Sequence, residues 1–180
     1  MGLKRVVGQV LTLNPDYAET ANQLEQPRRQ AQGVVVLAAV SHALGSTVIL
    51  LIYRASLPLL LLGLGVNSVA LWAGYLIWSF AIAKLGQGLK IRQLHYRQIL
   101  PLVGFAHIPQ VFNFLTVVPL LGRPIEITLA TWSLLAVIVA VQQRFDIRYQ
   151  RAIALASPGW LLVQVATGTV QVLVQQVASP

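Results

Sequence analysis

The sequence has no cysteine and a single methionine. Without thiols the chain holds no disulfide, iron–sulfur cluster, thiolate zinc site, thiol nucleophile or palmitoyl anchor. It is also poor in charge: 10% of its 180 residues are Asp, Glu, Lys or Arg, where a soluble domain carries about 25%. Acid is scarcest, 5 residues against 13 Lys and Arg, which leaves a formal net charge of +8. Catalytic signatures are missing too: Gly-x-Ser-x-Gly, His-Glu-x-x-His and the phosphate-binding glycine-rich loop ending in lysine. Gly86-Gln87-Gly88 has no Gly-Lys after it. Neither a catalytic set nor a metal site is expected, and the chain reads as a non-enzyme. The start, Met1-Gly2-Leu3-Lys4-Arg5-Val6, lacks the hydroxyl that myristoylation wants at position six. Asn14-Pro15-Asp16 breaks the first apolar run too early for a signal peptide.

What is abundant is hydrocarbon, at 56% of residues. A small domain has too much surface for a core to absorb that surplus, so the excess must face lipid. A bilayer core of about 30 Å needs about 20 apolar helical residues. The runs at 33–53, 57–83, 99–121, 125–141 and 153–177 meet this. The expected fold is all-α: a polytopic membrane protein of about five transmembrane helices, residues 33–180, behind a cytoplasmic or interfacial segment 1–32.

Charge placement tests that count. Lys4, Arg5, Arg28 and Arg29 precede the first run, and Lys84, Lys90, Arg92 and Arg97 lie between the second and third. Arg144, Arg148 and Arg151 lie between the fourth and fifth, so 11 of the 13 cations occupy alternate loops. Only Arg54 and Arg123 fall on the other side. This positive-inside pattern puts the N-terminus in the cytoplasm and the C-terminus opposite. Nucleic acid is not expected as a partner, because the cations sit between apolar runs and not on an aromatic-studded patch.

Ahead of the first run, Leu3, Val6, Val7, Val10 and Leu11 share one helical face, with Lys4, Arg5 and Gln9 on the other. Such an N-terminal amphipathic surface helix suits an anionic leaflet, with Lys4 and Arg5 as lipid-surface residues; packing on the protein's own loops is the alternative. Within the spans, ionisable groups are functional candidates by default. His42, Asn67 and His107 are the ones present, and counting from span starts puts them at similar depth. They are the candidate ligands for a haem or chlorophyll, although interhelical hydrogen bonding is the simpler role. No other cofactor is expected. No span holds a central carboxylate, which argues against a coupled carrier, and Glu126 stands at a span end beside Arg123. Pro109 predicts a kink in the third span. On the fifth, Gln164, Thr167, Gly168, Gln171 and Gln175 share a face that packs inward or meets another subunit. Gln164, Gln171 and Gln175 are the candidate partner-facing residues.

Between Lys90 and Ala156 the residues follow a pattern. A basic loop leads into Gln98-Ile99-Leu100-Pro101-Leu102-Val103-Gly104-Phe105-Ala106-His107-Ile108-Pro109, Val118-Pro119-Leu120-Leu121-Gly122 closes the span, Trp132 follows, and Arg151-Ala152 opens the last one. In this the chain resembles prokaryotic Yip1-domain proteins. The resemblance implies a five-span topology and a non-enzymatic, partner-binding character. Gln26-Pro27-Arg28-Arg29 stands where the eukaryotic members carry an acidic-Leu-Tyr-Gly-Pro motif, so no Rab-binding residue is carried over.

The expected function is therefore a membrane protein that binds the bilayer and other integral membrane proteins, or itself, as accessory subunit, assembly factor or membrane organiser. The alternatives are a small channel or uncoupled carrier, or a pigment- or haem-binding subunit. Arginine-over-lysine usage and many glutamines resemble cyanobacterial membrane proteins, which implies a plasma or thylakoid membrane.

Overall fold

The computed structural model describes residues 2–52, 56–91, 94–118 and 120–178, without the side chains of 46–52, 59, 171 and 173–178. Among them every regular element is a helix. α1 (Gly2–Leu11) and α2 (Tyr17–Asn22) precede α3 (Pro27–Ile52) and α4 (Leu57–Gly88). α5 (Tyr96–Ala106) runs on as a 3-10 helix (Ile108–Val117), and α6 (Gly122–Phe145) and α7 (Tyr149–Ala178) complete the chain. Among the described residues four rods are long and apolar enough to cross a membrane: Leu60–Gly88, Tyr96–Val117, Gly122–Phe145 and Tyr149–Val170. The chain is thus built as an integral membrane protein. The first expected span, 33–53, falls on α3, where Tyr53 and the side chains from 46 lie outside the described residues.

Every one of these helices overruns its apolar stretch at the same end, where α3, α5 and α7 begin and α4 and α6 finish. Lys, Arg and Gln are good helix formers in water, so helix continues after lipid stops. Arg28, Arg29, Lys84, Lys90, Arg97, Arg144, Arg148 and Arg151 are all exposed there. We call it the basic end. Arg123 is exposed at the opposite end, and Arg54 and Arg92 lie outside the described residues.

Close contacts fix the directions. Ala31 abuts Gly104, Ser41 bonds Val111 and Phe114, and Gly45 abuts Asn113 and Thr116, so α3 and the α5/3-10 rod run parallel. Gly74 abuts Val163, and Gly159 abuts Trp78 and Ala81, so α4 and α7 run antiparallel. Trp160 Nε1 donates to Ala130 O at 3.1 Å, which ties α7 to α6. The α5/3-10 rod is the most buried of the four long rods and α7 the least.

The rod owes its second half to Pro109. Proline has no N–H and its ring clashes with the carbonyl four residues back, so α-helix ends at Ala106. His107 N–H turns to Gly104 O at 3.2 Å, and bonds three residues apart follow, from Gln110 N–H to His107 O at 2.9 Å. At the position of the expected kink the helix changes type for ten residues. With a rise of about 2.0 Å per residue, 11 α and 10 3-10 residues reach about 36 Å, enough to cross. The freed backbone is met by Ser41, whose Oγ donates to Val111 O at 2.6 Å and accepts from Phe114 N–H at 2.8 Å. Thr116 donates to Asn113 O at 2.7 Å.

The N-terminal pair docks on this bundle. Val6, Val10, Tyr17, Ala18 and Ala21 are buried. Tyr17 reaches between α5 and α6, donating to Ala136 O at 3.0 Å and lying 3.5 Å from Leu102 O. Of the apolar face of α1, Val6 and Val10 are covered by protein, Val7 and Leu11 pack beside the core, and Leu3 stays exposed. Lys4 and Arg5 are exposed.

Candidate functional site

Polar side chains within a membrane bundle are costly unless they meet one another. Here they converge. His42 from α3, His107, Gln110 and Asn113 from the α5/3-10 rod, Glu126 from α6 and Gln164 and Thr167 from α7 line one internal cleft of about 40 Å³. Its apolar walls are Leu71, Trp78, Ala130, Trp160 and Val163. The volume suits one or two waters or an ion-sized solute. Glu126, 22% exposed, pairs with the exposed Arg123 at 2.9 Å, so the cleft's wall reaches the end opposite the basic one. Toward the basic end, Tyr75, Phe105, Leu102, Ile82 and Leu155 are buried.

Each wall residue is set by its helix. Because His107 N–H has left the α pattern, Val103 O needs another donor, and the His107 ring supplies it: Nδ1 lies 2.8 Å from that carbonyl. A carbonyl only accepts, so Nδ1 carries the hydrogen and Nε2, on the far side of the ring, is left as an acceptor. The edges of Tyr75 and Trp78 hold the imidazole, with ring centroids 5.9 and 5.8 Å away. Trp78 Nε1 donates to Ala156 O at 2.8 Å, so both cleft indoles direct their N–H groups at backbone. Thr167 Oγ1 donates to Val163 O at 2.8 Å. His42 lies within electrostatic reach of Glu126. Asn113 is 3% exposed, and its Oδ1 has no hydrogen-bond donor among the described residues.

The sequence-derived candidates fare differently. His42, His107 and Gln164 meet at this cleft. Asn67 is buried on α4 outside it. The side chains of Gln171 and Gln175 lie outside the described residues. The equal depth expected for the histidines does not hold. Ser41 is level with Val111 and Phe114, so His42 stands about five 3-10 residues, roughly 10 Å, beyond His107. The error came from counting from Gly33 and Ile99, whereas the helices register Ala31 against Gly104. Gln110, Asn113 and the indoles were missed as site residues, because only their tertiary convergence distinguishes them from ordinary interhelical polar groups. No protein-family model matches the chain, and neither does any curated protein or solved structure.

Proposed function

We propose that this chain is a non-enzymatic membrane protein of five spans, its basic end in the cytoplasm, that binds a small hydrogen-bonding solute in the internal cleft. The observation that carries this reading is the convergence of seven polar side chains from four helical rods on one cavity. Hydrophobic residues there would pack the bundle at lower cost, so the polar lining points to a ligand. Glu126, partly exposed at the end opposite the basic one, supports entry of the solute from that side, as in a binding protein or uncoupled carrier. The overall length of α3 and the alternation of cations support the count of five.

The absence of cysteine gives a clean test. In a Thr167→Cys variant, a membrane-impermeant thiol reagent added from the side opposite the N-terminus labels the protein, whereas Leu161→Cys, on the exposed apolar face, does not react. Thr167→Cys that resists the reagent from both sides removes the reading.

A second reading has the chain bind another integral membrane protein, or its own copy, as an accessory subunit or assembly factor. An apolar groove along the outer face of α4, bounded by Leu61, Leu62, Gly65, Val66, Val69 and Ala70, favours it, since small residues let helix backbones approach. Gly65→Leu that leaves every co-purifying species and self-association unchanged excludes that groove as the contact.

A further inference from the structure

At the end opposite the basic one the helices do not finish together. Gly122, where α6 begins, abuts Thr116, and Thr116 abuts Gly45, which sets the turn before α6 level with Gly45. From there α3 runs on for seven residues to Ile52, roughly 10 Å. A second register agrees. Trp160 bonds Ala130 O, and beyond that level α6 has eight residues left and α7 eighteen, a difference of roughly 15 Å. Through Gly74 against Val163, α4 finishes beside α7. The face is therefore stepped: α3, α4 and α7 stand high, and the α5/3-10 rod and α6 stop short.

Composition follows the step. The parts of α3 and α4 beyond it, 46–52 and 57–64, carry no charge and are mostly apolar. The Arg123–Glu126 pair stands at the foot of the step, with the Arg123 side chain 66% exposed. Apolar run lengths differ to match: seventeen residues on α6 at 125–141, roughly 25 Å, and twenty-seven on α4 at 57–83, roughly 40 Å. They fall on either side of a bilayer core of about 30 Å. Exposed Ile127 and Leu135 turn α6 to lipid. In a flat bilayer levelled on α3 and α4, Arg123 would lie in hydrocarbon, where a charge is costly even when paired. A short span is met by thinning of the lipid around it.

We infer that the bilayer is roughly 10 Å thinner against α6 than against α3 and α4, its head groups drawn down to the Arg123–Glu126 pair. The partner of this stepped face is the lipid itself. Unequal hydrophobic thickness on two flanks imposes a thickness gradient on the surrounding membrane, whatever the cleft binds.

The test uses the full chain in phosphatidylcholine liposomes, with a nitroxide on single-cysteine variants Leu121→Cys, in the turn before α6, and Gly65→Cys on α4. Both positions are exposed, and a Cβ at Gly65 meets nothing within 4 Å. They are also level: Leu121 lies five residues beyond Glu126 and Gly65 six beyond Leu71, two residues that line the same cleft. Relaxation by oxygen and by a water-soluble nickel chelate reads the depth of each label. The Leu121→Cys label is expected among the head groups and the Gly65→Cys label roughly 10 Å deeper, with Leu57→Cys at the far end of α4 marking the undisturbed head-group level. Equal depths at the two positions, whether both in hydrocarbon or both in water, or a deeper label at 121, overturn the inference. When Arg123→Leu and Glu126→Gln are added together, the Leu121→Cys label is expected to sink into hydrocarbon while the Gly65→Cys label keeps its depth. A Leu121→Cys label that stays shallow without the charged pair overturns it as well.

Discussion

Tyr17 offers the sharpest check on how the N-terminal pair joins the membrane bundle. Its ring is fully buried and its hydroxyl donates to Ala136 O at 3.0 Å. Tyr17→Phe removes that bond alone. Ala136 O keeps its place in the α6 ladder, so the loss is a net hydrogen bond of about 1 kcal/mol. Tyr17→Ala also empties the space between α5 and α6, at about 3–5 kcal/mol for a large aromatic. In a chain of this length 1 kcal/mol moves Tm by roughly 2–4 °C, so the two variants are expected to melt about 2–4 °C and 6–20 °C lower. Circular dichroism in mild detergent reads both.

Alkaline pH supplies an independent arm. Burial pushes the Tyr17 phenol above its ordinary value. The unfolded chain releases that proton near pH 10, whereas the folded one holds it. Tyr17 therefore stabilises fully below pH 10, and its contribution falls above it by up to about 1.4 kcal/mol per pH unit. Phenylalanine has nothing to release, so the gap between wild type and Tyr17→Phe is expected to narrow above pH 10. A Tyr17→Ala protein that melts with wild type, or a gap constant from neutral pH upward, refutes the docking of this segment.

Other substitutions probe the bundle itself. Ser41→Ala strands Val111 O and the Phe114 N–H in the 3-10 helix and is expected to cost about 1–2 kcal/mol, measured by denaturant titration in detergent. A Cβ at Gly159 falls 2.8 Å from Trp78 Cδ1 and 2.9 Å from Ala81 Cβ, whereas one at Gly168 meets nothing within 4 Å. Gly159→Ala is therefore expected to destabilise and Gly168→Ala to stabilise by up to about 1 kcal/mol, so equal effects contradict the α4–α7 contact. Asp146 closes α6 with φ of 46°, a left-handed cap that suits glycine. Asp146→Gly is expected to raise Tm slightly, and a fall argues against that cap.

The long helices were legible because an 18-to-20-residue apolar run has few alternatives, and because Lys84, Arg97, Arg144 and Arg151 mark where each run leaves lipid. Less of the rest could be read. The stripe of Val6, Val7, Val10 and Leu11 says that one face of α1 is apolar; it does not say whether lipid or α5 covers it. Pro109 announces a broken α ladder, but whether the chain bends or tightens to 3-10 depends on Ser41 arriving from another helix with both a donor and an acceptor. The cleft is the extreme case. His42 and Gln164 lie far apart in the chain and come together only through the stagger of α3 against the 3-10 helix, which the close approaches at Gly45 and Gly104 set.

Five crossings place the two chain ends on opposite faces of the bilayer, and four place them on one. Single-cysteine variants at Lys4 and Ser179, probed in intact cells with a membrane-impermeant thiol reagent, read this directly. Labelling at 179 without disruption, and at 4 only after it, is the predicted result. Equal reactivity of both positions from one side contradicts the five-span bundle and the route into its cleft.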